Sequence, residues 1–297
     1  MRHVYRCPLR WADLDQLGHV NNVTYVDYLQ EARADLMRRL FPERDGAAPG
    51  EGLTEGVVVV RHEVTYLAPM PLRFRPVNVE VWVTQVRAAS FTLAYEVFHD
   101  DDTAPDGRLV YLRAVTVLSP FVFAQERPRR LTDVEKAALE TYREPEPAWR
   151  QVTPRLAPVP DAGAFHYPVH VRFSDVDAYR HVNNVVYVEY FQEARLRMMR
   201  EISRSSGEVF PTVVVAQADV DYHRPLLFRE QPYDCWSQIT ALGSRSITIE
   251  AEIRDGATVC ARSRVVLVVF DAATQRSAAP SDRVREALLG VLAERVG

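Results

Sequence analysis

The sequence has almost no lysine and very little cysteine. Lys136 is the single lysine among 36 basic residues, and no GxxxxGK motif precedes it. Phosphate-binding loops and Schiff-base enzymes both need a lysine, so neither class of mechanism is favoured. The three cysteines, Cys7, Cys235 and Cys260, are widely spaced and form no CxxC pair. This pattern predicts neither a disulfide framework nor a thiolate metal site, and it indicates a reducing compartment.

Long apolar runs are absent as well. The longest, residues 265–270, has six residues, whereas a membrane-spanning helix needs about 20. The N-terminal residues contain no apolar secretion signal, so we expect a cytoplasmic protein with no membrane partner. The formal net charge of −4 and the pI near 6.1 argue against a nucleic-acid partner. GxGxxG, GxSxG and HExxH motifs are also missing, so the common nucleotide, serine-hydrolase and zinc-protease interpretations have no support.

The chain contains an internal repeat. Residues 10–37 align without a gap with residues 172–199, and 16 of the 28 aligned positions are identical. The shared string is Asp-x-Asp-x-x-x-His-Val-Asn-Asn, followed by tyrosines and Gln-Glu-Ala-Arg. A chain of 297 residues accommodates two such domains, because domains have about 100–200 residues each. We therefore predict domains at 1–142 and 165–297, joined by a proline-rich linker at 143–164.

Each half is predicted to contain one strand, a long helix and then four further strands. Apolar residues recur at helical spacing over residues 23–40 and 185–202. The segments rich in valine, threonine and aromatic residues that follow the first helix are predicted strands: Val57–Tyr66, Val79–Thr84, Phe91–Phe98 and Leu109–Leu118. Thr132 and Ser281 each open a terminal helix. The prediction is an α+β chain whose homologous halves pair about a pseudo-two-fold axis.

The repeated motif places carboxylates, an imidazole and a helix N-terminus close together in the chain. Its members are Asp13, Asp15, His19, Asn21 and Asn22 in the first copy and Asp175, Asp177, His181, Asn183 and Asn184 in the second. Asparagine suits the N-cap, and the first amides of a helix can stabilise a developing oxyanion. A carboxylate just upstream can act as a base or a nucleophile. This arrangement is suited to attack on a carbonyl carbon.

Structural interpretations of the same residues remain open at this stage. Aspartates are also typical of turns before helices, and an isolated histidine is usually a hydrogen-bonded structural residue. Asp15 and His19 together supply fewer ligands than a metal site needs. The arginine clusters Arg73/Arg75 and Arg127/Arg129/Arg130 suit phosphate, but a chain this rich in arginine contains such clusters by chance, and we assign them no role.

The string resembles the motif of hotdog-fold thioesterases, in the branch that acts on 4-hydroxybenzoyl-CoA and acyl-carrier-protein thioesters. The resemblance covers both halves and implies a double hotdog. In that fold two tandem domains each wrap an antiparallel sheet around a central helix and pair as a pseudo-dimer within the chain. The resemblance further implies that Asp15 and Asp177 are the catalytic carboxylates. The backbone amides of Asn22 and Asn184 would then be the oxyanion donors.

The two histidines resemble a second pattern within this fold family. Plant-type acyl-carrier-protein thioesterases carry a DxNxHVNN string, and His19 and His181 match its histidine. Leu17 and Tyr179 replace its first asparagine. This departure favours a mechanism centred on the aspartate, with the histidine assisting.

We therefore expect an acyl-CoA thioesterase of fatty acid metabolism that acts on a small-molecule acyl thioester. Asn21 and Asn183 are expected to help position the substrate. Coenzyme A enters as part of the substrate, and no metal or other cofactor is expected. The alternatives are an acyl-carrier-protein thioesterase, a hotdog hydratase or dehydratase, and a non-enzymatic module that binds acyl-CoA. Further homo-oligomerisation stays open.

The two copies differ at the residue before the motif histidine. This residue is Gly18 in the first copy and Arg180 in the second. Glycine adopts left-handed backbone conformations that other residues disfavour. This difference favours the first copy if only one of the two sites is active.

Overall fold

A computed structural model describes residues 1–41, 54–160, 164–271, 273–274 and 276–293. The chain divides into Met1–Thr153 and Pro154–Gly297, which we call unit 1 and unit 2. The division falls within residues 143–164, the segment that the prolines indicate as a linker. Residues 161–163 of that segment lie outside the described residues.

Unit 1 consists of an antiparallel sheet, a long helix and a short terminal helix. Its elements in chain order are β1 (His3–Cys7), α1 (Asn22–Leu40), β2 (Glu55–Tyr66), β3 (Val77–Val86), β4 (Phe91–Asp100), β5 (Arg108–Val122), β6 (Arg127–Pro128) and α2 (Asp133–Glu140). The strand order across the sheet is β1-β3-β4-β5-β2, with β6 paired to β5. Helix α1 packs against β1 and β3.

Unit 2 repeats this arrangement. Its elements are β7 (Phe165–Val169), α3 (Asn184–Ser206), β8 (Val213–Tyr222), β9 (Tyr233–Leu242), β10 (Ser246–Asp255), β11 (Thr258–Asp271), β12 (Arg276–Ser277) and α4 (Asp282–Ala293). The strand order is β8-β11-β10-β9-β7, with β12 paired to β11. Helix α3 packs against β7 and β9. The prediction of tandem α+β hotdog domains, each with five main strands and a long helix, is confirmed.

The apolar stripe of each long helix is what holds it to its sheet. On α1 the side chains of Val26, Leu29 and Leu36 are at most 1% exposed. They recur at the three- and four-residue spacing that puts side chains on one face of a helix. Burying a side chain of this size contributes about 1.5–3 kcal/mol. Helix α3 ends at Gly207, whose φ of +72° is the left-handed conformation that closes many helices.

The proline-rich segment packs against the units. In unit 1 the ring of Trp149 meets Trp82 edge to face, with ring centroids 6.3 Å apart. In unit 2 Leu156 is buried, and its amide donates to Asp221 Oδ2 at 3.3 Å. Residues 143–160 contain no helix, as their prolines predict, but side-chain packing and hydrogen bonds hold them in place.

Beneath α1, unit 1 buries a polar cluster. His62 on β2, Tyr95 on β4 and Thr116 on β5 are all buried, and His62 Nδ1 lies 2.9 Å from Thr116 Oγ1. The fourth component is Arg33 of α1, whose charge acts on His62. Burial, followed by this charge, lowers the pKa of His62 to about 3. The imidazole is therefore neutral at physiological pH.

Unit 2 has a different interior at the same strand positions. Tyr66 and Tyr222 occupy equivalent places, since each hydroxyl donates to the carbonyl of the first residue of the long helix. When the ladders are aligned on these tyrosines, His62, Tyr95 and Thr116 correspond to Ala218, Ala251 and Val265. The repeat has thus kept its backbone plan while the two cores diverged.

The neutral, buried His62 predicts an acid-dependent loss of stability. Its folded pKa of about 3 lies below the unfolded value near 6.5. As pH falls through that window, His62 becomes protonated in the unfolded state but stays neutral in the folded state. The free energy of unfolding therefore falls. This contribution is fully present above the window. Urea denaturation between about pH 6 and pH 4 should show a pH slope smaller by up to about 1.4 kcal/mol per pH unit in His62→Gln.

The control for this series is His170→Gln, which replaces an exposed histidine. We expect it to keep the wild-type slope. Equal slopes for wild type and His62→Gln would contradict the burial argument.

Candidate active site

In unit 1 a buried aspartate ties the strand-to-helix connection to the helix. The Asp13 carboxylate accepts hydrogen bonds from the Arg10 amide at 2.7 Å, from Arg10 Nε at 2.9 Å and from the Tyr28 hydroxyl at 2.6 Å. Its backbone carbonyl accepts from the Asn21 amide at 2.8 Å. Asp13 is 2% exposed, so its charge is stabilised by these donors and not by water. Its position indicates a structural role.

Unit 2 builds the same connection from the matching residues. Asp175 accepts from the Arg172 amide at 2.8 Å, from Arg172 Nε at 2.9 Å and from the Tyr190 hydroxyl at 2.5 Å. Burial alone would raise the pKa of Asp175, but the Arg172 and Tyr190 hydrogen bonds outweigh it and lower that pKa. The carboxylate therefore stays ionised.

The second aspartate of the motif closes a tight turn. The Asp15 amide donates to the His19 carbonyl at 2.8 Å, and the Gly18 amide donates to the Asp15 carbonyl at 3.1 Å. Asp15 Oδ1 accepts from the amides of Leu17 at 2.8 Å and His19 at 3.4 Å. In the part of the chain that is described, the hydrogen bonds to this carboxylate all go to Oδ1. Half-buried Asp15 is thus oriented by backbone amides while its second oxygen stays available.

Asp177 occupies the same turn in unit 2. Its amide donates to the His181 carbonyl at 2.9 Å, and its Oδ1 accepts from the Tyr179 amide at 2.9 Å. Burial raises the pKa of Asp177, and the amides of Tyr179 and His181 and the charge of His181 oppose that rise. A carboxylate with a raised pKa is a stronger base.

The left-handed residue of the turn is where the two copies were expected to differ. Gly18 has φ of +75° and Arg180 has φ of +64°, so both backbones adopt the left-handed conformation. The interpretation that Arg180 denies the second copy this freedom is wrong. The hydrogen bonds of the turn hold Arg180 in a conformation that costs a residue with a side chain about 1–2 kcal/mol. Backbone geometry therefore gives no preference for the first copy.

A capped helix N-terminus follows each turn. The side chains of Asn21 and Asn183 accept from the amides of Val23 and Val185, both at 2.9 Å. The asparagines are N-caps, as predicted, and their caps serve the second amide of each helix. The first helical amides, those of Asn22 and Asn184, have no acceptor within their own helix. In unit 1 the side-chain Nδ2 atom of Asn22 is buried, and no described residue accepts a hydrogen bond from it.

The structure places the predicted residues of each copy along one strand-to-helix connection, although not through every expected contact. The hydrogen bonds that join His19 and Asp15 use the backbone amide and carbonyl of the histidine rather than its ring. A loop beyond the next strand completes the support, because its Met70 carbonyl accepts from the Val20 amide at 2.9 Å. Leu226 plays the equivalent part for Val182 in unit 2, also at 2.9 Å.

Sequence reasoning missed the tyrosines that hold this site. Tyr28 and Tyr190 bind the buried aspartates, and Tyr66 and Tyr222 bind the carbonyls of Asn22 and Asn184. All four recur at matching positions of the repeat, so their repetition was the available signal. Their partners lie 15 to 44 residues away in the chain, and spacing does not identify such contacts.

Among the described residues, no group of three histidine, cysteine, aspartate or glutamate side chains is placed to bind a metal ion. Cys7, Cys235 and Cys260 are buried free thiols, and burial raises the pKa of each, to about 12, 12 and 11. Such thiols are poor nucleophiles at neutral pH. None of the helices within the described ranges has the length and apolarity to cross a membrane.

Both halves of the sequence match one family model. A sequence model of the thioesterase-like superfamily matches residues 9–162 and 171–288. An uncharacterised protein of Bacillus subtilis, YsmA, is 30% identical over 131 residues, which is 42% of this chain and 86% of that protein. The two matched segments of the family model contain both copies of the repeat.

Solved structures share the tandem architecture at low identity. A protein from Lactobacillus plantarum described as an oleoyl thioesterase has a TM-score of 0.70 and 15% identity, over 91% of this chain and 97% of its own. The 12:0-ACP thioesterase of Umbellularia californica has a TM-score of 0.69 and 16% identity, with the same coverage. At this identity the similarity supports the fold.

Replacing the first or the second aspartate of the motif should lower the free energy of unfolding by different amounts. Asp13→Asn removes the charge that Arg10 and Tyr28 stabilise, so the free energy of unfolding should fall by about 1.5–3 kcal/mol. Asp15→Asn keeps an oxygen for the turn amides and should change it by less than about 0.5 kcal/mol. Urea denaturation checks both values, and an equal loss in the two variants would contradict the assigned structural role of Asp13.

Proposed function

The chain belongs to the thioesterase-like superfamily, and we propose that it hydrolyses acyl-CoA thioesters to a free acid and coenzyme A. The observation that carries this proposal is the turn before each long helix. It holds a half-buried carboxylate, Asp15 or Asp177, a few residues from the first amide of the helix. An attacking base and an oxyanion donor are the two groups that acyl transfer to water needs.

The helix N-terminus supports the proposed stabilisation of the transition state. The thioester carbonyl oxygen would face the amide of Asn22 or Asn184, at the positive end of the helix dipole. As water adds, negative charge moves onto that oxygen and strengthens its hydrogen bond. Loss of one such donor costs about 10²–10³-fold in rate. The N-cap asparagines support this role indirectly, since they fix the position of the first turn.

The proposed role of the carboxylate is to activate water. Asp15 or Asp177 takes a proton from a water molecule as the water oxygen bonds to the carbonyl carbon. The tetrahedral intermediate then collapses, the carbon–sulfur bond breaks, and the departing thiolate takes up the proton. Direct attack by the carboxylate, giving an acyl anhydride that water hydrolyses, uses the same geometry. His19 or His181 orients the carboxylate or the water, and the free acid and coenzyme A are the products.

Acyl-carrier protein is a second candidate for the carrier of the acyl group. The Umbellularia californica protein, whose fold this chain shares across nine-tenths of its length, is described as an acyl-ACP thioesterase. Acyl-carrier-protein substrates therefore belong in any test. Three free, buried thiols fit the reducing cytoplasm that we propose as the compartment for this reaction, within fatty acid metabolism.

Thiol release from a panel of short, medium, long and aromatic acyl-CoAs tests the proposal directly. We expect wild type to turn over at least one substrate. The Asp15→Asn Asp177→Asn double variant should lose at least about 10²-fold in kcat, because it lacks the base in both units. The single variants then report how the activity is divided between the units.

Asp106→Asn, which changes an exposed aspartate in the loop between β4 and β5, is the matched control and should keep full activity. The proposed function is contradicted if wild type releases no thiol from any acyl-CoA or acyl-carrier-protein substrate. It also fails if the double variant is as active as Asp106→Asn.

A further inference from the structure

Arg180 stands in an unfavourable backbone conformation at the tip of the turn in unit 2. Its φ of +64° is one that favours glycine, and unit 1 has Gly18 at the matching position. Strained residues of this kind persist where the surrounding structure enforces them, and they cluster at functional sites. The conformation therefore directs attention to what the side chain does.

The guanidinium of Arg180 is not used by the described part of the protein. The side chain is exposed, and among the described residues it makes no hydrogen bond or ion pair. Other arginines of unit 2 differ, because Arg172 binds Asp175 and Glu189, and Arg229 binds Asp255 at 2.8 Å. Arg129 likewise binds Glu135. Arg180 is thus a cation placed where no carboxylate of the described chain neutralises it.

Its position is beside the proposed reacting groups. The Arg180 amide donates to the Asp177 carbonyl at 3.0 Å, and His181 is the next residue. Two exposed aromatic rings flank the same motif, with Phe173 84% and Phe228 57% exposed. Their ring centroids are 6.0 Å apart. A cation and uncovered aromatic surface next to a thioester site suit a ligand that carries both phosphate and apolar groups.

We propose that Arg180 binds a phosphate on the pantetheine carrier of the substrate, and that the turn of unit 2 rather than unit 1 recognises this carrier. The inference rests on the proposed function and adds the recognition element to it. Phosphorylated pantetheine is the chemistry shared by coenzyme A and acyl-carrier protein. Arginine presents a planar fork that binds phosphate through two hydrogen bonds, which the glycine of unit 1 cannot provide.

Arg180→Gly tests the proposal, because it installs the residue of unit 1 and suits the backbone conformation. With one acyl group on different carriers, we expect KM for acyl-CoA to rise about tenfold with kcat unchanged. KM for the matching acyl-pantetheine, which has no phosphate, should stay at the wild-type value. The difference on acyl-CoA should shrink as salt is raised, since salt screens exposed charges.

The controls separate charge and folding from recognition. Arg200→Ala removes an exposed positive charge on α3, far along the helix from the turn, and should leave KM unchanged. The melting temperature of Arg180→Gly should equal or exceed that of wild type, because the left-handed strain is relieved.

Acyl-dephospho-CoA and acyl-carrier protein identify which phosphate Arg180 binds. A KM change that persists on acyl-dephospho-CoA and on acyl-carrier protein assigns it to the phosphate attached to pantetheine. A KM change that vanishes on acyl-dephospho-CoA would place it on the ribose 3′-phosphate and contradict recognition of the shared phosphopantetheine.

Calorimetric titration with free coenzyme A keeps this inference separate from turnover. Its Kd should rise about tenfold in Arg180→Gly, whether or not hydrolysis is observed. Failure of thiol release by wild type would contradict the proposed function alone. Equal Kd values in wild type and Arg180→Gly, or an equal KM change on acyl-pantetheine, would overturn the role of Arg180.

Discussion

A buried carboxylate fixes the geometry of the strand-to-helix connection in both units. Asp13 and its counterpart Asp175 are both buried. Each carboxylate accepts hydrogen bonds from an arginine amide, an arginine Nε and a tyrosine hydroxyl. A buried charge without such donors would be strongly destabilising, so the connection has one well-defined arrangement. The tight turn, the capped helix N-terminus and the oriented second aspartate all follow from that anchor.

Burial gives two aspartates of one short motif different roles. Asp13 is closed off, and its oxygens accept hydrogen bonds from Arg10 and Tyr28. Asp15 lies two residues further along, half-buried, with backbone amides on Oδ1. The first carboxylate holds the connection in place, and the second keeps the exposure that its proposed role in proton transfer requires. Sequence spacing makes the two residues look equivalent, and the difference between them is one of environment.

Duplication has preserved the turn more strictly than the core. Both turns keep the same hydrogen bonds and the same left-handed residue, even where that residue changes from Gly18 to Arg180. Beneath the helices, the polar positions His62 and Tyr95 of unit 1 have become Ala218 and Ala251 in unit 2. The constraint on the turn is geometric, because its hydrogen bonds fix the backbone of the aspartate and of the histidine against each other. A core needs only to fill its volume and to give its buried polar groups hydrogen-bond partners.

The sequence by itself determined the tandem organisation, the five main strands and long helix of each unit, the N-caps and the turn that carries the motif. These features are local or repeated, and the periodicity of apolar residues, asparagine capping and self-similarity report them directly. Only the tertiary structure decided which aspartate is buried, that Tyr28 and Tyr66 support the site, and that Arg180 adopts a left-handed backbone. Those outcomes depend on contacts between residues distant in the chain and on hydrogen bonds that override a local preference, and neither is encoded in the spacing of a motif.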